Sequence, residues 1–112
     1  MSFTVRKDEA SGVTVVGVDG QLIVGNRHEL KKDVTDKLEA GERKFVIDFS
    51  NTGYIDSSGL GALVTIAKKV REAGGEMRLA GLNDDLRTLF ELTKLDTLFT
   101  IVESAEEAIS SF

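Results

Sequence analysis

The chain has 112 residues and no cysteine, which fits one ordinary domain and excludes a disulfide framework or a thiolate metal site. Its formal net charge of -5 argues against nonspecific nucleic-acid binding, which needs a basic patch. No apolar run approaches the roughly 20 residues of a membrane span, and no signal-peptide core opens the sequence, so a cytoplasmic protein without a membrane partner is expected.

Phe3-Thr4-Val5-Arg6 alternates and predicts a strand. Ser11-Gly12 is a turn, and the β-branched run Val13 to Val18 pairs back on the first strand as a hairpin. Asp19-Gly20 is a second turn, and Leu22-Ile23-Val24 predicts a short third strand. Gly25-Asn26 opens a helix, with Asn26 as its expected cap. Leu30, Val34 and Leu38 form one narrow apolar stripe on that highly charged helix, and Gly41 ends it. Proline is absent, so glycine, Asn, Asp and Ser must make every turn.

The chain is organised around residues 44 to 73. The apolar run Phe45-Val46-Ile47-Asp48-Phe49 predicts a buried strand over 44–49. A loop follows, from Ser50-Asn51-Thr52-Gly53 through Tyr54-Ile55-Asp56. A helix is expected over 57–73, with Leu60, Leu63, Val64, Ala67 and Val70 as its buried face. Lys68, Lys69, Arg71 and Glu72 fall on its wet side. Strand 76–80, helix 84–93, strand 98–102 and helix 104–111 complete the alternation. Asn83-Asp84 caps the third helix and Ser104 the fourth. Alternating strands and helices imply right-handed crossovers and parallel strands. The expected fold is therefore α/β, a single domain over 1–112, with a mixed, mostly parallel sheet packed by about four helices.

Asp56-Ser57-Ser58 stands where the loop meets this helix. Two readings compete. One is a plain capping motif that satisfies the first backbone N–H groups. The other is a phosphorylation switch, because a helix N-terminus tolerates negative charge. A phosphoserine brings roughly -1.5 to -2 charge at neutral pH, and Asp56 beside it repels that charge. Gly59 and Gly61 leave the backbone bare, so another protein could approach closely there. Tyr54 precedes the serines and is read either as part-buried in the loop or as an exposed partner anchor.

Ile55-Asp56-Ser57-Ser58-Gly59-Leu60-Gly61 resembles the signature of STAS domains, in particular the bacterial anti-sigma factor antagonists. The resemblance continues in Gly20-Gln21-Leu22, in the strand Phe45 to Phe49, in Gly74-Gly75-Glu76-Met77, in Leu92-Thr93-Lys94-Leu95 and in Leu98-Phe99. It implies a STAS-type fold and a protein that works by partner switching in transcription control. The unphosphorylated form would bind an anti-sigma factor that is also a serine kinase, and a sigma factor would be released. The kinase would then phosphorylate Ser57, and a metal-dependent serine phosphatase would reverse the step. Tyr54, Asp56, Ser58, Gly59, Leu60 and Gly61 would form the switch surface around Ser57. The domain would be a phosphoprotein and a substrate, with no catalytic residue, metal or cofactor of its own. One residue departs from the pattern. Many members carry Asp after the Gly-x-Leu element, and Ile23 stands there in this chain. A STAS module acting on a non-sigma output, or sensing a small ligand near the second helix, is the alternative.

Other chemistries find little support in the residues. His28 is the sole histidine and lies on a charged helix beside Arg27 and Glu29, as a solvated residue would. One histidine without cysteine makes a zinc site improbable. A serine hydrolase would need a base for Ser57, and no Gly-x-Ser-x-Gly is present. No P-loop occurs, and Gly59-Leu60-Gly61 lacks the third glycine of a dinucleotide fingerprint. Glu103, Glu106 and Glu107 read as solvation of the last helix.

Overall fold

The computed structural model describes residues 3–112. Strands β1 (Phe3–Asp8) and β2 (Val13–Val18) form the expected antiparallel hairpin, with Phe3 opposite Val18 and Asp8 opposite Val13. Asp8 closes the turn by accepting hydrogen bonds from the Ser11 hydroxyl at 2.5 Å and the Ser11 N–H at 3.1 Å. Strands β4 (Lys44–Asp48), β6 (Glu76–Ala80) and β7 (Thr100–Val102) then add in parallel. The five-stranded sheet runs β1-β2-β4-β6-β7. Helices α1 (Arg27–Glu39), α2 (Ser57–Glu72), α3 (Asp84–Leu92) and α4 (Ala105–Ser110) connect or flank these strands. No helix among the described residues is long and apolar enough to cross a membrane.

Alternation along the strands assigns two cores. Val16 and Val18 of β2, with Phe45 and Ile47 of β4, point to one face. There they meet Leu30 and Val34 of α1, Leu63, Ile66 and Val70 of α2, and Leu86 and Phe90 of α3. Val13, Val15, Val46 and Ala80 point to the other face, where the short α4 covers them through Ala105 and Ala108. Arg78 and Phe112 close that edge, the guanidinium carbon 3.9 Å from the ring centre. Fully burying one large apolar side chain stabilises by about 1.5–3 kcal/mol. The larger core therefore fixes α1 and α2 on the sheet firmly.

Several expectations need correction. The third strand is β3 (Gly20–Leu22), not Leu22 to Val24. The expected loop after β4 contains a strand, β5 (Thr52–Ile55). β3 and β5 pair in parallel as a separate two-stranded sheet, Leu22 opposite Ile55. Thr52 anchors this pair: it is buried, and its hydroxyl donates to the Val18 carbonyl at 2.6 Å. On α2, Val64 is exposed and Ile66 is buried in its place. Ala67 is only half-buried. The segment expected as strand 98–102 follows a 3₁₀ turn, Leu95–Thr97, and Leu98 is exposed before β7 starts. The caps at Asn83 and Ser104 accept from Leu86 N–H at 2.8 Å and Glu107 N–H at 3.1 Å, as read from the sequence.

Candidate functional site

The short β3–β5 sheet brings two chain segments together at the head of α2. Leu22 ends β3 and Ile55 ends β5, side by side and both buried. Asp56 follows and joins them. Its backbone N–H donates to the Leu22 carbonyl at 3.1 Å. One carboxylate oxygen accepts from the Gly59 N–H at 2.7 Å, the geometry of an N-cap. The other accepts from the Val24 N–H at 3.1 Å. Asp56 is thus both cap and clamp.

The turn after β3 is held from within. Asn26 precedes α1 where the sequence predicts a cap, but its side chain makes no capping bond. Its oxygen accepts from the Ile23 N–H at 2.9 Å, and its nitrogen donates to the Gln21 carbonyl at 2.9 Å. An Asx side chain that satisfies nearby backbone groups competes with capping, and here the turn wins. Ile23 is half-buried inside this turn. The position that often carries Asp in the resembled family is therefore apolar and partly packed away.

Ser57 is the first residue of α2 and is solvent-exposed. Asp56 makes the cap bond, and the Ser57 hydroxyl makes no hydrogen bond among the described residues. Ser58 is half-buried. Tyr54 is 56% exposed and Val24 is 59% exposed. Ser57 thus follows Asp56, which binds the exposed Val24, and lies three residues after the exposed Tyr54.

Gly59 and Leu60 belong to the expected switch surface. Both are buried. A Cβ on Gly59 would lie 2.5 Å from the Leu22 carbonyl oxygen and 2.9 Å from an Ile55 methyl. The bare backbone at Gly59 lets α2 dock against the small sheet. Gly61 differs: it is exposed, and a Cβ there would meet nothing within 4 Å. Gly61, Ala62 and Thr65 form one wall of a cleft of about 130 Å³ whose other wall is Arg27, His28 and Lys31 of α1. On the other flank of α2, an open groove of about 240 Å³ lies between Val64, Ala67, Arg71, Leu98 and Phe99.

Sequence reading misses Val24, Asn26 and Arg27 as parts of this site. An exposed valine beside Gly25 is the available signal for Val24. Nothing local can show that Asn26 bonds backward or that α1 lies beside α2.

The chain matches the STAS domain family model over residues 4–108. It is 33% identical over 91 residues to the anti-sigma-B factor antagonist of Staphylococcus aureus, spanning 81% of this chain and 84% of that protein. A Thermotoga maritima structure assigned as an anti-sigma factor antagonist superposes with a TM-score of 0.88 and 29% identity, over 97% of this chain and 92% of that one. The anti-sigma factor antagonist SpoIIAA, solved in an unphosphorylated form and, for the Bacillus protein, in a phosphorylated form, shares the fold. Its TM-scores are 0.73 and 0.74 at 16% and 18% identity, covering 94% and 97% of this chain and 91% and 97% of the SpoIIAA chains.

Proposed function

Because this chain belongs to the STAS domain family, alongside proteins named anti-sigma factor antagonists, we propose that it acts by binding and is switched by phosphorylation. The unphosphorylated domain docks its Val24–Tyr54–Ser57 surface on an anti-sigma factor with serine kinase activity. The sigma factor held by that partner is released. The kinase then transfers the γ-phosphoryl group of ATP to the Ser57 oxygen. The bond to ADP breaks, the serine ester forms, and the hydroxyl proton leaves to the kinase. The new charge ends the complex. A metal-dependent serine phosphatase hydrolyses the ester and restores the binding form. The domain supplies a surface and a substrate hydroxyl in the cytoplasm, and the catalysis belongs to its partners.

The observation that carries this reading is that Asp56 makes the cap bond and Ser57 does not. A hydroxyl free of structural duty, exposed beside Tyr54 and Val24, can be esterified without unfolding the helix. A dianion placed there meets the positive end of α2, which suits the fold, and a desolvated interface, which does not. Incubation with the cognate anti-sigma kinase and ATP, followed by peptide mapping, tests the reading. Phosphate on Ser57 is expected. Phosphate on Ser58, or none at all, contradicts it.

A further inference from the structure

The cleft between α1 and α2 gathers cations in a protein of net charge -5. Arg27 and Lys31 sit one turn apart on α1 and face Gly61, Ala62 and Thr65 across the cleft. The ion pairs among the described residues are Lys7–Glu42, Lys32–Asp36, Arg78–Glu76 and Arg87–Glu103. Neither Arg27 nor Lys31 belongs to any of them. The Arg27 Nε is enclosed and has no hydrogen-bond partner among the described residues. The root of the guanidinium is therefore packed in place while its charge has no carboxylate. Asp56, at the head of α2, cannot serve readily, because its two oxygens already accept from Gly59 and Val24.

Ser57 shares a helical stripe with Gly61 and Thr65, which line this cleft. Gly61 lies one turn after Ser57 on the same stripe of α2, about 6 Å along the axis. A methyl group added at Gly61 would have no neighbour within 4 Å, so the stripe is open at that point. The two helices run the same way, since β3 pairs parallel to β5 and β4 parallel to β6. Their first turns thus lie at the same end of the molecule.

We propose that a phosphate on Ser57 is held within its own chain, by the Arg27 and Lys31 side chains across the α1–α2 cleft. This deepens the Ser57 reading above and rests on it. A guanidinium is well suited to the task, because its fork can donate two hydrogen bonds to one phosphate. The phosphorylated form then presents a clamped phosphate in a single orientation rather than a freely moving one. Its two cations are also withdrawn from any acidic partner. Phosphorylation changes the surface on both sides of the site at once.

The test needs no kinase. Phosphoserine is installed at position 57 of the full chain during synthesis. The arginine Nε–H resonances are compared with those of the serine form, and Arg27 is assigned by its loss in Arg27→Gln. The Arg27 signal is expected to move, and the Arg87 signal, already paired with Glu103, to stay. Thermal midpoints provide the second reading. Arg27→Gln combined with Lys31→Gln should lower the midpoint of the phosphoserine form by about 3 °C more than that of the serine form. The excess should shrink in molar salt, where the charges are screened. An Arg27 signal that does not move, or an equal loss in both forms, overturns the clamp. Failure of a kinase to modify Ser57 would instead count against the functional reading and leave the clamp measurement standing.

Discussion

Asp56 binds Val24: one carboxylate oxygen of the α2 cap accepts the Val24 N–H at 3.1 Å, across 32 residues of sequence. The other oxygen caps α2 at Gly59. One side chain therefore sets the position of the exposed Val24 and the start of the helix that carries Ser57. Asp56→Ala removes both bonds and is expected to destabilise by about 1–3 kcal/mol, from the loss of a cap and of a second hydrogen bond to a charged group. Asp56→Asn keeps one acceptor oxygen and should lose about half as much. Urea unfolding of the three proteins measures this. Equal stability of Asp56→Ala and the wild type would show that the clamp is incidental.

Gly59 and Gly61 should respond in opposite directions to the same substitution. Gly59→Ala drives a methyl into the Leu22 carbonyl, a backbone atom that cannot swing away. Overpacking of this kind costs about 1–3 kcal/mol. Gly61→Ala meets open space and replaces a flexible residue in a helix, which should stabilise by roughly 0.5–1 kcal/mol. Thermal midpoints that move the same way for both would contradict the docking role assigned to Gly59.

Tyr54 and Val24 are exposed without serving the core. Tyr54→Ala should therefore leave the thermal midpoint nearly unchanged, since surface changes away from structural features stay within about ±0.5 kcal/mol. The same change should weaken partner binding by about tenfold or more, as truncated aromatic anchors commonly lose over 1 kcal/mol. Val24→Ser should follow with a smaller loss. Titration calorimetry against the proposed anti-sigma partner reads both. Full affinity in Tyr54→Ala would place the interface elsewhere on the domain.

What can be read from the chain, and what cannot, divides along contact range. β2, β4 and α2 carry β-branched runs or helical spacing that a local window reveals. The Asn83 and Ser104 caps are legible for the same reason. β5 is not, because Thr52-Gly53-Tyr54-Ile55 is short, contains a glycine and reads as a turn. Its strand character comes from pairing with β3 and from the Thr52 bond to Val18, 34 residues earlier. Val64 and Ile66 are both β-branched residues, and only the docking angle of α2 on the sheet decides which is buried. At the site, the Asp-Ser-Ser motif suggests a cap or a switch without choosing between residues. The hydrogen bonds separate the residues: Asp56 caps, and Ser57 is left free. The Arg27–Lys31 cleft has no local signature at all, since its walls come from two helices.

The central claim is that charge on Ser57 governs partner binding, and affinity tests it most directly. Chains carrying serine, phosphoserine, Ser57→Asp and Ser57→Ala are compared for binding to the cognate anti-sigma kinase. At the head of α2 the helix dipole favours a negative group by roughly 0.3–1 kcal/mol, and Asp56 offsets part of that, so every form should stay folded. At the interface a desolvated, mismatched charge costs about 2–5 kcal/mol. At roughly 1.4 kcal/mol per tenfold, that is about thirty- to several-thousand-fold. The binding effect therefore exceeds the folding effect. Phosphoserine and Ser57→Asp are expected to bind weakly, while serine and Ser57→Ala bind tightly. Equal affinity of the serine and phosphoserine chains, with both folded, would contradict the account.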